Sequence, residues 1–290
     1  KRQGKPLPDH AISWFCSQEI KADDLKFIRD RMSIVQIYNY MRRQIRETRM
    51  SGKELLTTWA DYLSMAQRFG MDTNDAIIYR VRKLRQRHDE LVARCNQKEL
   101  TLRAGEVLKE YPNMERIYES IKEIYGFTTE DYTVIVPSCI EEIMLEGEHL
   151  HHCVGGSERY WERIERKESY VLFLRRTSDL QKSYYTLEIE PDGTVRQKRT
   201  MYDRQEADIE DAKKFLKKWQ KEISRRLTDE ERELAKTSRV LREQEFAQLR
   251  ENQVIINTGY LRGHLLVDVL MEDLMETKEG ATIPALPAAA

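Results

Sequence analysis

Residues 170–199 read YVLFLRRTSDLQKSYYTLEIEPDGTVRQKR, and their periodicity decides the fold. Tyr185, Leu187 and Ile189 alternate with Tyr184, Thr186 and Glu188, the period of a strand with one buried and one polar face. Asp192-Gly193 marks a hairpin turn, after which Val195, Gln197 and Arg199 alternate with Arg196 and Lys198. Tyr170–Arg175 supplies a third segment, and Tyr132–Val136 (YTVIV) a first strand upstream. The pattern predicts a small antiparallel sheet of three to four strands. On its polar face Thr186 and Glu188 stand across from Gln197 or its basic neighbours, in a register that alternation alone leaves open.

Just before this sheet, residues 146–156 (EGEHLHHCVGG) gather three of the six histidines, His149, His151 and His152, together with Cys153. Three chemistries draw on them. In nucleophilic catalysis Cys153 is activated by a histidine base; His149 across a turn suits this better than the adjacent His152, and no orienting acid is identifiable. In a zinc site Cys139, His149, His152 and Cys153 supply ligand types that zinc prefers, although their spacing matches no common finger or ribbon. In a nucleotide or polynucleotide pocket His152, Thr186, Glu188, Gln197 and Arg199 line a cleft beside Gly155 and Gly156, where the backbone has room to approach a ligand. A His, Tyr and Glu set on strands also holds NAD in ADP-ribosyltransferases, but the 36 positions from His152 to Glu188 are few for that fold. The plain alternative is structural: Cys153 as a small buried hydrophobe and His152 hydrogen-bonded to an element end.

Outside this stretch the pattern is helical. Residues 8–50 carry Phe15, Leu25, Ile28, Ile37 and Met41 at helical spacing. A Ser51…Glu54 capping box opens the next helix and Gly70 ends it. Asn74 to about Lys109 reads as one long basic helix with Arg80, Arg82, Lys83, Arg85, Arg87, Arg94 and Lys98, of which Arg82, Arg85 and Arg87 are the candidate contacts, suited either to a phosphate backbone or to a solvated face diluted by Asp89 and Glu90. A helix spans Asn113 to Tyr125, and a Ser138…Glu141 capping box opens another that Gly147 breaks. Glu158–Arg166, Gln205–Leu227, Thr228–Asn252 (opened by a Thr228…Glu231 cap) and Leu265–Met275 are further helices, with Val254–Ile256 an extra strand. Trp59, Trp161 and Trp219 recur with apolar neighbours and read as core.

The run Leu150-His151-His152-Cys153-Val154-Gly155, with Ser169-Tyr170, Leu174-Arg175, Tyr185-Thr186-Leu187-Glu188 and Gln197-Lys198-Arg199, resembles the PcfJ-like family. The resemblance extends upstream to Trp59-Ala60-Asp61-Tyr62-Leu63 and His88-Asp89 and covers most of residues 50–225. Thr200 and Asp203 stand where that family tends to have Gly and Asn, so the turn after the last strand is expected to differ. The resemblance implies a setting on conjugative plasmids, integrative elements or phages, and an accessory protein of such an element that assists DNA processing or transfer by binding nucleic acid or other transfer proteins. Two rival classes stay open. One is an enzyme on nucleic acid or a nucleotide, nuclease-like or ADP-ribosyltransferase-like, with His152, Cys153 and Glu188 catalytic. The other is an element-encoded effector or immunity regulator.

The expected architecture is therefore α+β and predominantly α-helical. It comprises a helical region at 1–127, an α+β module at 128–227, a helical extension at 228–279 and a disordered tail at 280–290. The 290 residues suffice for one large or two modest domains. Four scattered cysteines make no disulfide framework, and no apolar run is long enough to span a membrane, which reads as a cytoplasmic protein. The opening KRQGKPLPDH, without Met or signal-peptide core, reads as a fragment or trimmed end. With 49 basic and 50 acidic residues the net charge is −1, so nucleic-acid binding requires a local patch rather than a general field.

Overall fold

The structure is a computed structural model in which residues 8–277 are described; the expected tail at 280–290 lies outside them. The chain forms two compact units, Lys1–Glu99 and Leu100–Ala290. The fold is α+β and mostly helical, with eleven α-helices and one five-stranded antiparallel sheet among the described residues. None of these helices is long and apolar enough to cross a membrane.

The first unit holds α1 (Asp9–Ser17), α2 (Ile34–Thr48), α3 (Gly52–Arg68), α4 (Ala76–Tyr79) and the start of α5 (Leu84–Glu110). The Ser51 hydroxyl accepts the Glu54 N–H at the start of α3, and Gly70 follows the helix with φ +72°. The core centres on Trp59, which is fully buried with the rings of Tyr40 and Phe27 at 4.4 and 5.5 Å. The long helix expected from Asn74 is instead broken at residues 80–83, because tertiary partners take its carbonyls. Trp59 Nε1 donates to the Tyr79 carbonyl (2.9 Å), Tyr40 Oη to that of Val81 (2.9 Å) and Gln44 Nε2 to that of Arg82 (2.5 Å). Gln44 Oε1 then accepts the Leu84 N–H, the first of α5, at 3.1 Å. Gln44 is itself fully buried, so both ends of its amide are committed to fixing this corner.

The second unit contains the rest of α5, then α6 (Met114–Tyr125), β1 (Phe127–Thr128), β2 (Tyr132–Ile135), α7 (Ile140–Leu150), α8 (Glu158–Glu165), β3 (Tyr170–Arg176), β4 (Tyr185–Ile189), β5 (Val195–Arg199), α9 (Ile209–Arg226), α10 (Asp229–Glu251) and α11 (Leu266–Asp273). The strands pair in sequence order; β1, a two-residue strand without an alternation signal, takes the sheet to five. The register sets Glu188 opposite Gln197 and Thr186 opposite Arg199, with an irregularity at Glu188/Ile189. Tyr170, Leu172 and Leu174 share one face with Tyr185, Leu187 and Ile189, as pairing and alternation require, and all are buried. Tyr125 of α6 lies 5.6 Å from Tyr170, and Trp219 of α9 donates to the Tyr125 carbonyl.

The expected polar face of the sheet is polar but not solvated. Thr186, Glu188, Glu190, Arg175 and Arg196 are all buried, beneath ion pairs from α7, α8 and α10. Arg163 of α8 donates to Glu188 at 2.8 Å, and Arg196 Nε and Arg242 Nε of α10 meet on Glu190 at 2.9 and 2.7 Å. Arg196 also reaches Glu168 and the Ser238 carbonyl, both at 2.9 Å. Separately, Arg175 forks onto Glu146 of α7 at 2.8 and 2.5 Å.

Two sequence signals act differently from expectation. Gly147 does not break α7, which runs on to Leu150 and ends with His151 at φ +52°. Gly147 and Gly155 are instead where backbones meet: a Cβ on Gly147 would stand 2.7 Å from the Gly155 nitrogen, and one on Gly155 2.7 Å from Met144 Cα. The expected Ser138…Glu141 capping box does not form: Cys139 is the N-cap without a side-chain cap bond, and Ser138 before it donates its N–H and hydroxyl to Glu142 at 2.8 Å each. Downstream, the Thr228 capping box forms with Glu231. Val254–Ile256 reduces to one bridge, Ile255 to Leu265, while Met275 bonds both ways to Val195 and covers the β5 edge.

Candidate functional site

Two places concentrate chemistry. In the second unit the sheet brings His152, Thr186, Glu188, Gln197 and Arg199 around one cleft, joined by Tyr160 and Asp203. The cleft encloses about 20 Å³, room for about one water and not for a nucleotide. His152 Nε2 lies 2.9 Å from Thr186 Oγ1, which donates to Glu146 at 3.2 Å. Burial holds the His152 imidazole below its ordinary pKa, against the pull of Asp203 and Glu146. Glu188 has no free oxygen edge: Oε1 accepts from Arg163 and Ser169, both at 2.8 Å, and Oε2 accepts from Gln197 at 3.0 Å. Burial pushes this carboxyl up, but Arg163 and Arg196 outweigh it and hold the pKa below the usual value.

Cys153 is an exposed free thiol whose pKa is raised by desolvation and by the charge of Asp203, the opposite of an activated thiolate. The zinc set does not assemble. Cys139 precedes α7 and His149 sits in its last turn, about 15 Å apart along the axis at 1.5 Å per residue. Among the described residues no three His, Cys, Asp or Glu side chains form a group able to hold a metal. His149 instead lies 3.4 Å from the Ser183 hydroxyl.

Arg199 is tied to Asp273, with Lys198 Nζ donating to the Asp273 carbonyl at 2.7 Å. Burial pushes Asp273 up to about 6 from 3.8, more than Arg199 and Lys198 pull it down. A carboxyl that holds its proton more tightly in the folded state contributes stability below the unfolded pKa, and that contribution is lost as pH rises through the folded one. Thermal or urea melts of the wild type and Asp273→Asn are therefore expected to diverge, the wild type losing about 1.4 kcal/mol relative to the variant between pH 5 and 7.5. A pH-independent difference would contradict the shift.

The second place is in the first unit. A cleft of about 830 Å³ is lined by Arg43, Arg80, Arg82, Lys83, Arg87 and Arg94, against one acid, Glu90. The carbonyl bonds from Trp59, Tyr40 and Gln44 hold residues 80–83 rigid while Arg80, Arg82 and Lys83 stay exposed. Arg43 comes from α2, and its Nε is buried with no hydrogen-bond partner. Arg43, Arg80, Arg82, Lys83 and Arg94 form no ion pair among the described residues; Arg94 covers the Phe69 ring at 4.6 Å. The other two arginines expected here are already neutralised, Arg85 by Asp89 (3.2 Å) and Glu54 (3.7 Å), Arg87 by Glu90 (2.6 Å). Sequence reasoning placed Arg80, Arg82, Lys83 and Arg94 in one basic segment and singled out Arg82 with Arg85 and Arg87, but missed Arg43, which only the break before α5 and the approach of α2 make their neighbour.

A model of the PcfJ-like protein family matches residues 58–216, more than half of the chain. The chain belongs to the PcfJ-like family. The match takes in the His152 cleft through Arg199 and the cationic cleft apart from Arg43, which precedes it. An uncharacterized protein of Listeria innocua is 41% identical to this PcfJ-like chain over 71 residues, 24% of the chain and 15% of that protein. The chain therefore spans a small part of that relative's length. No solved structure matches.

Proposed function

We propose that this PcfJ-like chain is a nucleic-acid-binding accessory protein of a mobile genetic element, gripping the phosphate backbone in the cationic cleft of its first unit. The observation that carries this is local. A chain with net charge −1 gathers five cations that form no ion pair among the described residues around one 830 Å³ cleft. Several cations around one cleft suit a polyanion better than a single small anion, and phosphates supply the charge that would meet them. The mobile-element setting is what the family resemblance implies.

The small cleft beside His152, with the Glu188 carboxylate already held by Arg163, Ser169 and Gln197, supports a structural role for Glu188 and Gln197 in preference to nucleotide chemistry. The test is binding of a fluorescent oligonucleotide followed by anisotropy from 50 to 300 mM salt. Log affinity is expected to fall linearly with log salt, with a slope of roughly −3 to −5 for that number of phosphate contacts. Absence of binding at 50 mM salt would remove the proposal.

A further inference from the structure

The segment after β5 carries a second, unlike feature. Thr200–Arg204 closes on itself: the Thr200 N–H donates to the Arg204 carbonyl at 2.8 Å, the Arg204 N–H to that of Met201 at 3.3 Å, and Arg199 Nη1 to that of Asp203 at 3.1 Å. Within this loop Tyr202 and Asp203 both adopt left-handed backbone, with φ +57° and +58°. A bulky residue such as Tyr is an outlier there, and such strain concentrates where a site uses it.

The strained backbone presents the Tyr202 ring outward. One face of the ring stacks on His151, itself left-handed, with centroids 5.0 Å apart and planes within 9°, yet Tyr202 stays 57% exposed. Nearby, Tyr260 is 49% exposed beneath the Arg204 guanidinium, 5.5 Å from the ring centre, and its hydroxyl meets Arg199 at 3.4 Å. Arg204 forms no ion pair among the described residues. Burial therefore does not account for either ring, and the cation beside them has no acid to neutralise it.

We infer that Tyr202 and His151, with Arg204 and Tyr260 beside them, form a stacking platform for an unpaired base of single-stranded nucleic acid. A flat exposed π-face accepts any base, and an unpaired arginine next to it meets the adjoining phosphate. Rigid closure of the loop means the ring is already oriented before a base arrives. The inference rests on the nucleic-acid reading but concerns a separate site in the second unit.

The experiment compares a single-stranded oligonucleotide with an abasic oligomer of the same length and charge, using the full chain. The key variant is Tyr202→Gly, which removes the ring and gives the left-handed position to the residue that adopts it most readily, so its melting temperature is expected not to fall. The wild type is expected to bind the base-bearing strand about tenfold more tightly than the abasic one. Tyr202→Gly should erase that difference and leave abasic binding unchanged, with Tyr260→Ala acting in the same direction. If the wild type binds both strands equally, the platform is wrong and the phosphate-binding cleft stands. If neither strand binds at low salt, both fall.

Discussion

Glu146→Ala is expected to destabilise the second unit by about 3–5 kcal/mol, the usual cost of leaving one member of a buried ion pair uncompensated. Glu146 and Arg175 are 2% and 6% exposed and joined by two hydrogen bonds. The same carboxylate also accepts from Ser183 at 2.7 Å and Thr186 at 3.2 Å, so its loss strands two hydroxyls as well as a guanidinium. The double replacement Glu146→Leu, Arg175→Met removes both charges and should recover most of that loss, because a buried pair offers little net stabilisation over apolar groups of similar volume. Urea unfolding of the wild type, Glu146→Leu, Arg175→Met and the double variant gives the cycle, with Glu146→Ala measured beside it. Equal losses in Glu146→Ala and the double variant would show that the pair is not the origin of the effect.

The second large effect is on binding. Replacing Arg80, Arg82 and Lys83 with alanine should weaken oligonucleotide binding about 10²-fold at 0.1 M salt and make the slope of log affinity against log salt shallower by about 3. Stability should hardly move. The corner is fixed through the carbonyls of Tyr79, Val81 and Arg82 and the N–H of Leu84, none of which the substitutions remove, and the three side chains are exposed. An unchanged slope would mean that these side chains do not meet phosphates.

How far the sequence carried the fold follows from the range of its signals. Strand alternation, the Asp192-Gly193 turn and the Thr228 cap act within a few residues, and each appears in the structure where expected. Alternation could say that Thr186, Glu188 and Glu190 face away from the core of Leu187 and Ile189, but not what lies over them. The cover comes from Arg163 on α8 and Arg242 on α10, far along the chain, and makes the expected polar face a buried ionic layer. Gly147 reads as a helix breaker because glycine usually is one; here close approach of the Gly155 backbone decides the matter. The basic run after Asn74 hid its own break for the same reason, since Trp59, Tyr40 and Gln44 capture carbonyls that a helix would have used. Nor does a count of arginines distinguish Arg85 and Arg87, held by neighbouring acids, from Arg80 and Arg82, which are not.

That distinction gives the most direct test of the central claim. Arg80→Ala, Arg82→Ala and Arg85→Ala, Arg87→Ala are two double variants that remove the same charge from adjacent positions. Measured side by side by anisotropy at 0.1 M salt, the first should lose at least tenfold more affinity than the second, because only its cations are free to meet phosphate. Equal losses would show that the chain attracts nucleic acid by general charge alone, and would contradict a cleft built from unpaired cations.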